Sequence, residues 1–448
     1  METLNVSRTP AEIFNEAQAA ITRPVNAFVP ANADEQQHLF LEGTIDVPDH
    51  HYDKLDAIDF ESVDTRLGEL ANEIAQHSEV PERYKPIYEA YFEETRLKNR
   101  FMQLSHALKQ ESVDDAQKQD LEAEHQAINE RLYGKPDRDT FKQLLAQKFQ
   151  SLPVPDSQDE AAMRIYNELK ELIPQDIQTL EATELYAPAD ETVAAMQRVV
   201  NVLYGKLLAH VPDREGEYSM DEVETTFREI VETEFGEAAG DWKVVRIKRS
   251  GIHVDASKQR IQIPEKGKSK TPERLRDLVV HELGVHFLHS IMGDETDLHL
   301  MRVGLPEYFD AEEGLGVLME HARKGEFKPG GVYHYIVAGL IESGQSFRGA
   351  HDIRWRLEVL SDYEAGKDLN EEAIAKAKDT AYKGVVRITR AGDRPWYKDL
   401  SYYNGEIKNW QYFDRHAGDD LMLSLAMIGK LDPSNTDHIR TALETRTL

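Results

Sequence analysis

The sequence of 448 residues contains no cysteine. Disulfide bonds, thiolate zinc sites and cysteine nucleophiles are therefore excluded. It also lacks a run of about 18 apolar residues, so no membrane-spanning helix is predicted. The first residues have neither the basic stretch nor the apolar stretch of a secretory signal, and we therefore predict a cytoplasmic protein.

Positive charge is scarce. There are 53 Lys and Arg against 82 Asp and Glu, a net charge of -29. Such a chain repels nucleic acid and anionic membranes, so neither is predicted as a partner. Residues 241–276 are the exception, with 11 basic and 4 acidic residues and a net charge of +7. This basic island would attract acidic peptide substrates, although a solvated hairpin explains it equally well.

Hydrophobic periodicity favours a helix-rich α+β fold. Helical patterns dominate before Gly236, and three short β-branched runs after Trp242 predict strands. The sequence therefore predicts a small β-sheet beside the helices. The predicted regions are an N-terminal extension (1–60), a helical region (61–240) and a zinc-binding catalytic region (241–448).

One apolar helix carries three polar residues. Thr271 and Pro272 favour a helix start, and His281, Glu282 and His286 follow within a nearly continuous apolar run. Buried polar side chains are costly unless they are paired or bind an ion. The histidines are five residues apart, whereas the common zinc motif places them four apart. We therefore expect a π-bulge in this turn, because only an extra residue aligns both rings.

A third ligand is expected from the next helix. Residues 310–322 contain Glu312 and Glu313, and either could complete a zinc site in which Glu282 is the general base. His289 would be an alternative ligand if the first helix were regular. The other interpretation is a pair of core histidines with a surface acid, which the apolar setting disfavours.

Several motifs together resemble one family, the tyrosine carboxypeptidases, which includes the microtubule-associated tubulin detyrosinases and bacterial proteins with a QEGLA motif. The resemblance covers roughly residues 60–420 and is strongest at the two metal motifs. The motifs are LYGKPD (132–137), HELGVH (281–286), GLPEY (304–308), EEGLG (312–316) and the segment from Ala381 to Gly405.

The resemblance implies a zincin-like metallopeptidase with one Zn²⁺ per chain. By position, the ligands would be His281, His286 and Glu313, and Glu282 would be the base. Glu312 aligns with the glutamine of QEGLA and would lie behind the ligands. Gly316 departs from the family, in which alanine is usual; this substitution weakens the helix slightly and leaves the ligand set unchanged.

A carboxypeptidase must hold a free carboxylate and stabilise an oxyanion, for which Arg, Lys and Tyr are suited. The candidates are Arg387, Arg390, Lys398 and Tyr402. The last thirty residues are expected to be helical, with little site content.

The predicted function is zinc-dependent removal of a C-terminal residue, aromatic by resemblance, from a peptide or protein. Tubulin is a poor candidate substrate, because its acidic tails would be repelled by a chain of net charge -29. Two alternatives are an endopeptidase or dipeptidyl peptidase, and a regulatory protein that binds zinc without hydrolysing peptides.

Overall fold

The structure is a computed structural model that describes residues 8–110, 114–181, 183, 185–248, 251–363, 369–392, 394–416 and 419–445. Helices dominate these residues, as predicted. In chain order the α-helices are α1 (Pro10–Ala20), α2 (Pro24–Ala27), α3 (Ala33–Leu41), α4 (Asp53–Asp56), α5 (Phe60–Gln76), α6 (Lys85–Ala107), α7 (Asp115–Tyr133), α8 (Arg138–Gln150), α9 (Glu160–Leu172), α10 (Gln175–Gln178), α11 (Asp190–Ala209), α12 (Met220–Ile230), α13 (Pro272–Leu278), α14 (Leu288–Asp294), α15 (Leu300–Val303), α16 (Phe309–Lys324), α17 (Val332–Glu342), α18 (Phe347–Ser361), α19 (Glu371–Thr389), α20 (Ser401–Arg415), α21 (Asp420–Leu425) and α22 (Thr436–Thr445).

Short helices of other types interrupt this series. The π-helices are Val231–Phe235 and Val279–Phe287, and the 3₁₀-helices are Gly236–Ala239, Ala256–Lys258 and Tyr397–Leu400.

The three predicted strands form one small mixed sheet. They are β1 (Lys243–Ile247), β2 (His253–Asp255) and β3 (Arg260–Pro264), in the order β1-β3-β2. The central strand β3 pairs in parallel with β1 and antiparallel with β2. Helix-rich architecture with a small mixed sheet places the chain in the α+β class.

The helix that begins at Thr271 changes type twice. The Thr271 side chain accepts a hydrogen bond from the Arg274 amide at 3.2 Å, which caps α13. The chain continues as the nine-residue π-helix Val279–Phe287 and returns to α-helical geometry in α14. A Cβ at Gly284 would lie 3.0 Å from the Tyr204 ring, so this position of the π-helix packs closely on α11.

Helix α16 packs against the π-helix on one side and against α20 on another. The Asn409 side-chain amide in α20 donates to the Ala311 carbonyl in α16 at 2.7 Å. This bond and the close helix approach fix α16, which carries Glu312 and Glu313, relative to α20.

Three clusters of buried apolar side chains stabilise the described residues. The first joins α6–α9 to α17–α19, and the second surrounds the sheet and the π-helix with side chains from α11, α12, α16 and α20. The third joins α1, α5 and α6 to residues 298–305 and 425–442. Each cluster contains residues from more than one of the predicted regions 1–60, 61–240 and 241–448, and that division stays a prediction. Within the described residues, no helix is both long and apolar enough to cross a bilayer.

Candidate metal centre

The structure brings together the three residues that the sequence nominated as metal ligands. One potential ligand atom from each of His281, His286 and Glu313 lies within 4.8 Å of the others. The two imidazole rings are 4.8 Å apart between centroids and nearly perpendicular, at 80°. The π-helix explains this proximity, because its hydrogen bonds run from residue i to i+5 and bring residues five apart onto one face.

His281 is held by a carboxylate behind it. Its Nδ1 atom lies 2.7 Å from Glu320 Oε1, and the Arg274 guanidinium lies 2.8 Å from the other oxygen of Glu320. Burial alone would lower the pKa of His281, but the hydrogen bond and charge of Glu320 raise that pKa to about 9. Because Nδ1 is engaged, Nε2 is the atom left for a metal.

His286 is held in the same way by Glu312. Its Nδ1 lies 2.8 Å from Glu312 Oε1, while His289 Nδ1 lies 2.7 Å from Oε2 of the same carboxylate. The Lys430 ammonium lies 3.0 Å from Oε1. Burial would raise the pKa of Glu312, but the charge of Lys430, followed by that of His289, holds it well below its ordinary value. His289 is therefore bound to Glu312 and stands outside the three-residue cluster.

Glu282 is buried beside the cluster. Its side chain is only 6% exposed, and Oε2 has no hydrogen-bond partner among the described residues. Burial raises the pKa of Glu282 to about 8. An unpartnered buried carboxylate oxygen is costly unless an ion, water or substrate satisfies it. Together with two imidazole nitrogens and one carboxylate, a donor set used by zinc sites that keep one position open, the residues present fit a zinc ion.

The four substrate-binding candidates differ in their surroundings. Arg387 donates to Asp399 Oδ1 at 2.9 Å and to the Tyr402 hydroxyl at 3.1 Å, and Lys398 lies 3.3 Å from the same carboxylate oxygen. Burial would raise the pKa of Glu313, but the charges of His286 and Lys398 and the neighbouring Tyr402 hydroxyl lower it, so Tyr402 lies beside the three-residue cluster. Burial raises the pKa of Tyr402 well above its ordinary value, so its hydroxyl remains a donor.

Arg390 lies apart from that hydrogen-bond network. Its guanidinium carbon is 4.8 Å from the centroid of the Trp396 ring, and its Nε has no partner in the described part of the chain. Burial lowers the pKa of Arg390, with Asp399 and Arg387 as further influences. A buried guanidinium nitrogen without a partner is a candidate donor for a ligand carboxylate.

Sequence reasoning missed several residues near the centre. Glu320 follows Glu312 by eight residues, about two helical turns, so helical spacing could have placed both on one face. The His334 ring lies 6.0 Å from the Tyr402 ring, and Arg354 packs against Gly384 and forms an ion pair with Glu358 at 4.0 Å. Both have buried nitrogens without hydrogen-bond partners in the described residues. No sequence pattern marks either of them.

One expectation needs correction, and the charge of the basic island can now be described with its partners. The last thirty residues are not without site content, because Lys430 reaches Glu312 from a non-helical segment between α21 and α22. The basic island 241–276 is also partly neutralised, since Arg246 pairs with Asp221 and Glu224. Arg276 pairs with Asp213 at 2.6 Å, and Arg274 pairs with Glu320 at 2.8 Å. All of these acids lie outside residues 241–276, so a charge count over that range does not include them.

The fold and the site first define a class: a helix-rich α+β protein in which a π-helix and a neighbouring α-helix form a candidate three-ligand metal centre. The family model described as microtubule-associated tyrosine carboxypeptidase matches residues 147–327. The match covers 181 of the 448 residues and confirms the resemblance to this family over that stretch, whereas the motifs at 132–137 and 381–405 lie outside it. It includes His281, His286 and Glu313 and ends before the substrate-binding candidates. A comparison with curated proteins found no match.

Proposed function

We propose that the chain is a zinc-dependent carboxypeptidase that removes one residue, of aromatic type, from the C-terminus of a peptide or protein. The observation that carries this proposal is the convergence of His281, His286 and Glu313 within 4.8 Å, with both histidine Nδ1 atoms already held by glutamates. If these residues only packed the core, two imidazoles with fixed rings would not need to converge on one carboxylate. A metal site does need this arrangement.

A zinc ion held by these three residues would supply Lewis-acid activation of the scissile carbonyl and of an attacking water molecule. Glu282 would accept the proton of that water, since its Oε2 is buried and lacks a partner among the described residues. A nearby cation favours the ionised form of a carboxyl group, which offsets the effect of burial on the pKa of Glu282. Glu282 would later return the proton to the leaving amine.

The substrate carboxylate requires donors that are not already occupied. The Arg387 fork is taken by Asp399 and Tyr402, so Arg387 is better suited to hold the Tyr402 hydroxyl in place. Arg390 and Arg354 carry buried guanidinium nitrogens without hydrogen-bond partners in the part of the chain that the structure describes, and Arg354 also forms an ion pair with Glu358 at 4.0 Å. We assign the terminal carboxylate to this cationic group, with Lys398 beside it and Tyr402 as the oxyanion donor.

The substrate is not expected to be strongly acidic. The net charge is -29, and the basic island is partly neutralised by Asp213, Asp221 and Glu224. A neutral or basic peptide tail therefore fits this chain better than the acidic tail of tubulin.

The test compares matched peptides that end in tyrosine as the free acid or as the amide. We expect the purified chain to release a single residue from the free acid only, to lose activity after chelation and to regain it with zinc. Cleavage of both peptides would indicate an endopeptidase, and release of two residues a dipeptidyl peptidase. A chain that binds zinc but cleaves neither peptide would support the regulatory alternative. A library varied at the last residue would then define the preferred side chain.

A further inference from the structure

Each histidine of the candidate centre contacts a carboxylate, and each of these carboxylates contacts a cation. On one side the order is Arg274, Glu320, His281, with contacts of 2.8 and 2.7 Å. On the other it is Lys430, Glu312, His286, with contacts of 3.0 and 2.8 Å. A carboxylate behind a ligating histidine fixes the ring and its tautomer, and the cation behind that carboxylate fixes the carboxylate in turn.

The two cations differ in their environment. The Lys430 side chain is 7% exposed, and the Glu312 side chain that it contacts is 3% exposed. The Arg274 side chain is 50% exposed. A buried pair is barely screened by salt, whereas an exposed pair contributes little and is screened. The Lys430 contact should therefore hold its carboxylate far more firmly than the Arg274 contact.

Lys430 is placed by its backbone as well as by its side chain. Its amide donates to the Met301 carbonyl at 2.9 Å, and its carbonyl accepts from the Leu305 amide at 3.0 Å. Residues 301–305 lead directly into α16, the helix that carries Glu312 and Glu313. The segment that holds Lys430 is thus hydrogen-bonded to the approach of the second metal element, and its ammonium group is delivered to Glu312 from a fixed position.

Glu312 holds two histidines at the same time, and Lys430 supplies the charged partner of this buried carboxylate. Oε1 receives His286 and Lys430, while Oε2 receives His289. Without the ammonium group, the two imidazoles alone would hold Glu312, so the ring of His286 would rest on a less firmly fixed carboxylate.

We propose that Lys430 is a positioning residue for the metal centre: by holding Glu312, it fixes the ring of His286 in the orientation that presents Nε2 to a metal ion. This role rests on the proposed zinc site. It assigns a function to the C-terminal segment, which carries none of the family motifs.

The test measures zinc affinity by competition with a chromophoric chelator, together with the visible absorption spectrum of the cobalt(II)-substituted protein. We expect Lys430→Met to lower zinc affinity by roughly 10- to 100-fold and to change the cobalt spectrum. Lys430→Arg keeps the charge and should restore most of the affinity. Arg274→Gln should lower affinity by no more than about 5-fold at low salt, and less at high salt.

Lys383→Met is the matched control. Lys383 pairs with Asp379 at 2.7 Å on α19, and the two side chains are 63% and 39% exposed, so its removal leaves no buried charge. It should leave zinc affinity unchanged. An equal loss in Lys383→Met and Lys430→Met would overturn the proposal, because the effect would then be one of general charge.

Folding is checked by circular dichroism of the metal-free proteins. Lys430→Met leaves Glu312 buried without its cation, and this could prevent folding. In that case the double variant Lys430→Met/Glu312→Gln, which removes both charges, is measured in place of the single variant. Wild-type zinc affinity in either folded variant would overturn the role of Lys430 and leave the zinc site intact. Absence of zinc binding by the unaltered chain would instead overturn the proposed function, and this role with it.

Discussion

Gly314 and Gly405 bring helices α16 and α20 into direct backbone contact. A Cβ on Gly314 would lie 2.0 Å from the Gly405 carbonyl carbon, and a Cβ on Gly405 would lie 1.7 Å from the Asp310 carbonyl oxygen. Both glycines belong to the motifs that carry the family resemblance. Their role here is steric: they let α20, with Tyr402 on its first turn, approach the helix that carries Glu313.

Gly314→Ala should therefore destabilise the protein, because the methyl group meets backbone that cannot yield. We expect a loss of at least about 2 kcal/mol in the free energy of unfolding, from overpacking. Gly68→Ala is the control, since nothing lies within 4 Å of a Cβ at this position in α5. It should be neutral or stabilise by about 0.5–1 kcal/mol. Urea unfolding of both variants measures the difference, and equal stability would contradict the steric role.

Glu282→Gln separates metal binding from hydrolysis. Glutamine has nearly the shape of glutamate but cannot accept the proton of water, and Glu282 is not one of the three clustered ligand residues. We expect zinc content to be retained and peptide hydrolysis to fall by roughly 10²- to 10⁴-fold. The exposed Glu237→Gln serves as control and should retain full activity. Unchanged hydrolysis in Glu282→Gln would remove Glu282 from the mechanism.

Gly316 makes room for the ring of His281. A Cβ at Gly316 would lie 2.6 Å from His281 Cε1, so Gly316→Ala should push the ring away from Glu320. We expect zinc affinity to fall roughly 10-fold, the range seen when the partner of a ligating histidine is disturbed. Gly205→Ala in α11, where a Cβ would meet nothing within 4 Å, is the control. If Gly316→Ala binds zinc as tightly as the unaltered chain, the ring has more freedom than these contacts indicate.

Tyr402→Phe tests the oxyanion donor. The Tyr402 hydroxyl accepts a hydrogen bond from Arg387 at 3.1 Å and lies near Glu313, which places it beside the proposed zinc site. Removal of one oxyanion donor typically lowers kcat by about 10²- to 10³-fold, and KM should change little. Tyr403→Phe alters the neighbouring buried tyrosine, whose ring packs on Tyr335, and should leave kcat unchanged. A rise in KM alone would assign Tyr402 to ground-state binding instead.

His125 predicts a pH dependence of stability that is independent of the metal centre. It is 3% exposed, lies 2.8 Å from the Ser105 hydroxyl and stacks on Phe101, and burial lowers its pKa to about 4. The unfolded chain binds a proton at this residue below about pH 6.5, but the folded chain does so only below about pH 4. Stability should therefore fall as the pH is lowered between these values.

The contribution of one such proton is about 1.4 kcal/mol per pH unit. His125→Phe removes it, so the stability difference between the unaltered chain and this variant should shrink as the pH falls from 6.5 to 4.5. Urea unfolding at a series of pH values measures this difference. A difference that stays constant over the range would show that His125 does not titrate as its burial requires.

Much of the local structure could be read from the sequence. Thr271 and Pro272 mark a helix start, and the three β-branched runs after Trp242 are the strands of the sheet. The five-residue spacing of His281 and His286 argued for an irregular turn, and the structure has a π-helix there. Such signals are local, because capping, strand alternation and helical spacing act within a few residues of one another.

The side chains that contact the candidate site could not be predicted from the sequence in this way. Lys430 lies 118 positions from Glu312 along the chain, and Arg387 and Asp399 reach the centre only through Tyr402. The basic island has a net charge of +7 by composition, yet Asp221 and Asp213, which lie outside it, pair with Arg246 and Arg276. Burial, and with it the high pKa of Glu282, also depends on which helices surround the π-helix.

By itself, then, the sequence determined the helix-rich class, the irregular histidine turn and the candidates for the three ligands, since each follows from residue type and near-neighbour spacing. Only the tertiary structure decided which glutamate stands behind each histidine, which cation stands behind each glutamate and which guanidinium groups keep unpaired donors. Those choices depend on side chains that meet across the fold, and distance along the chain carries no information about them.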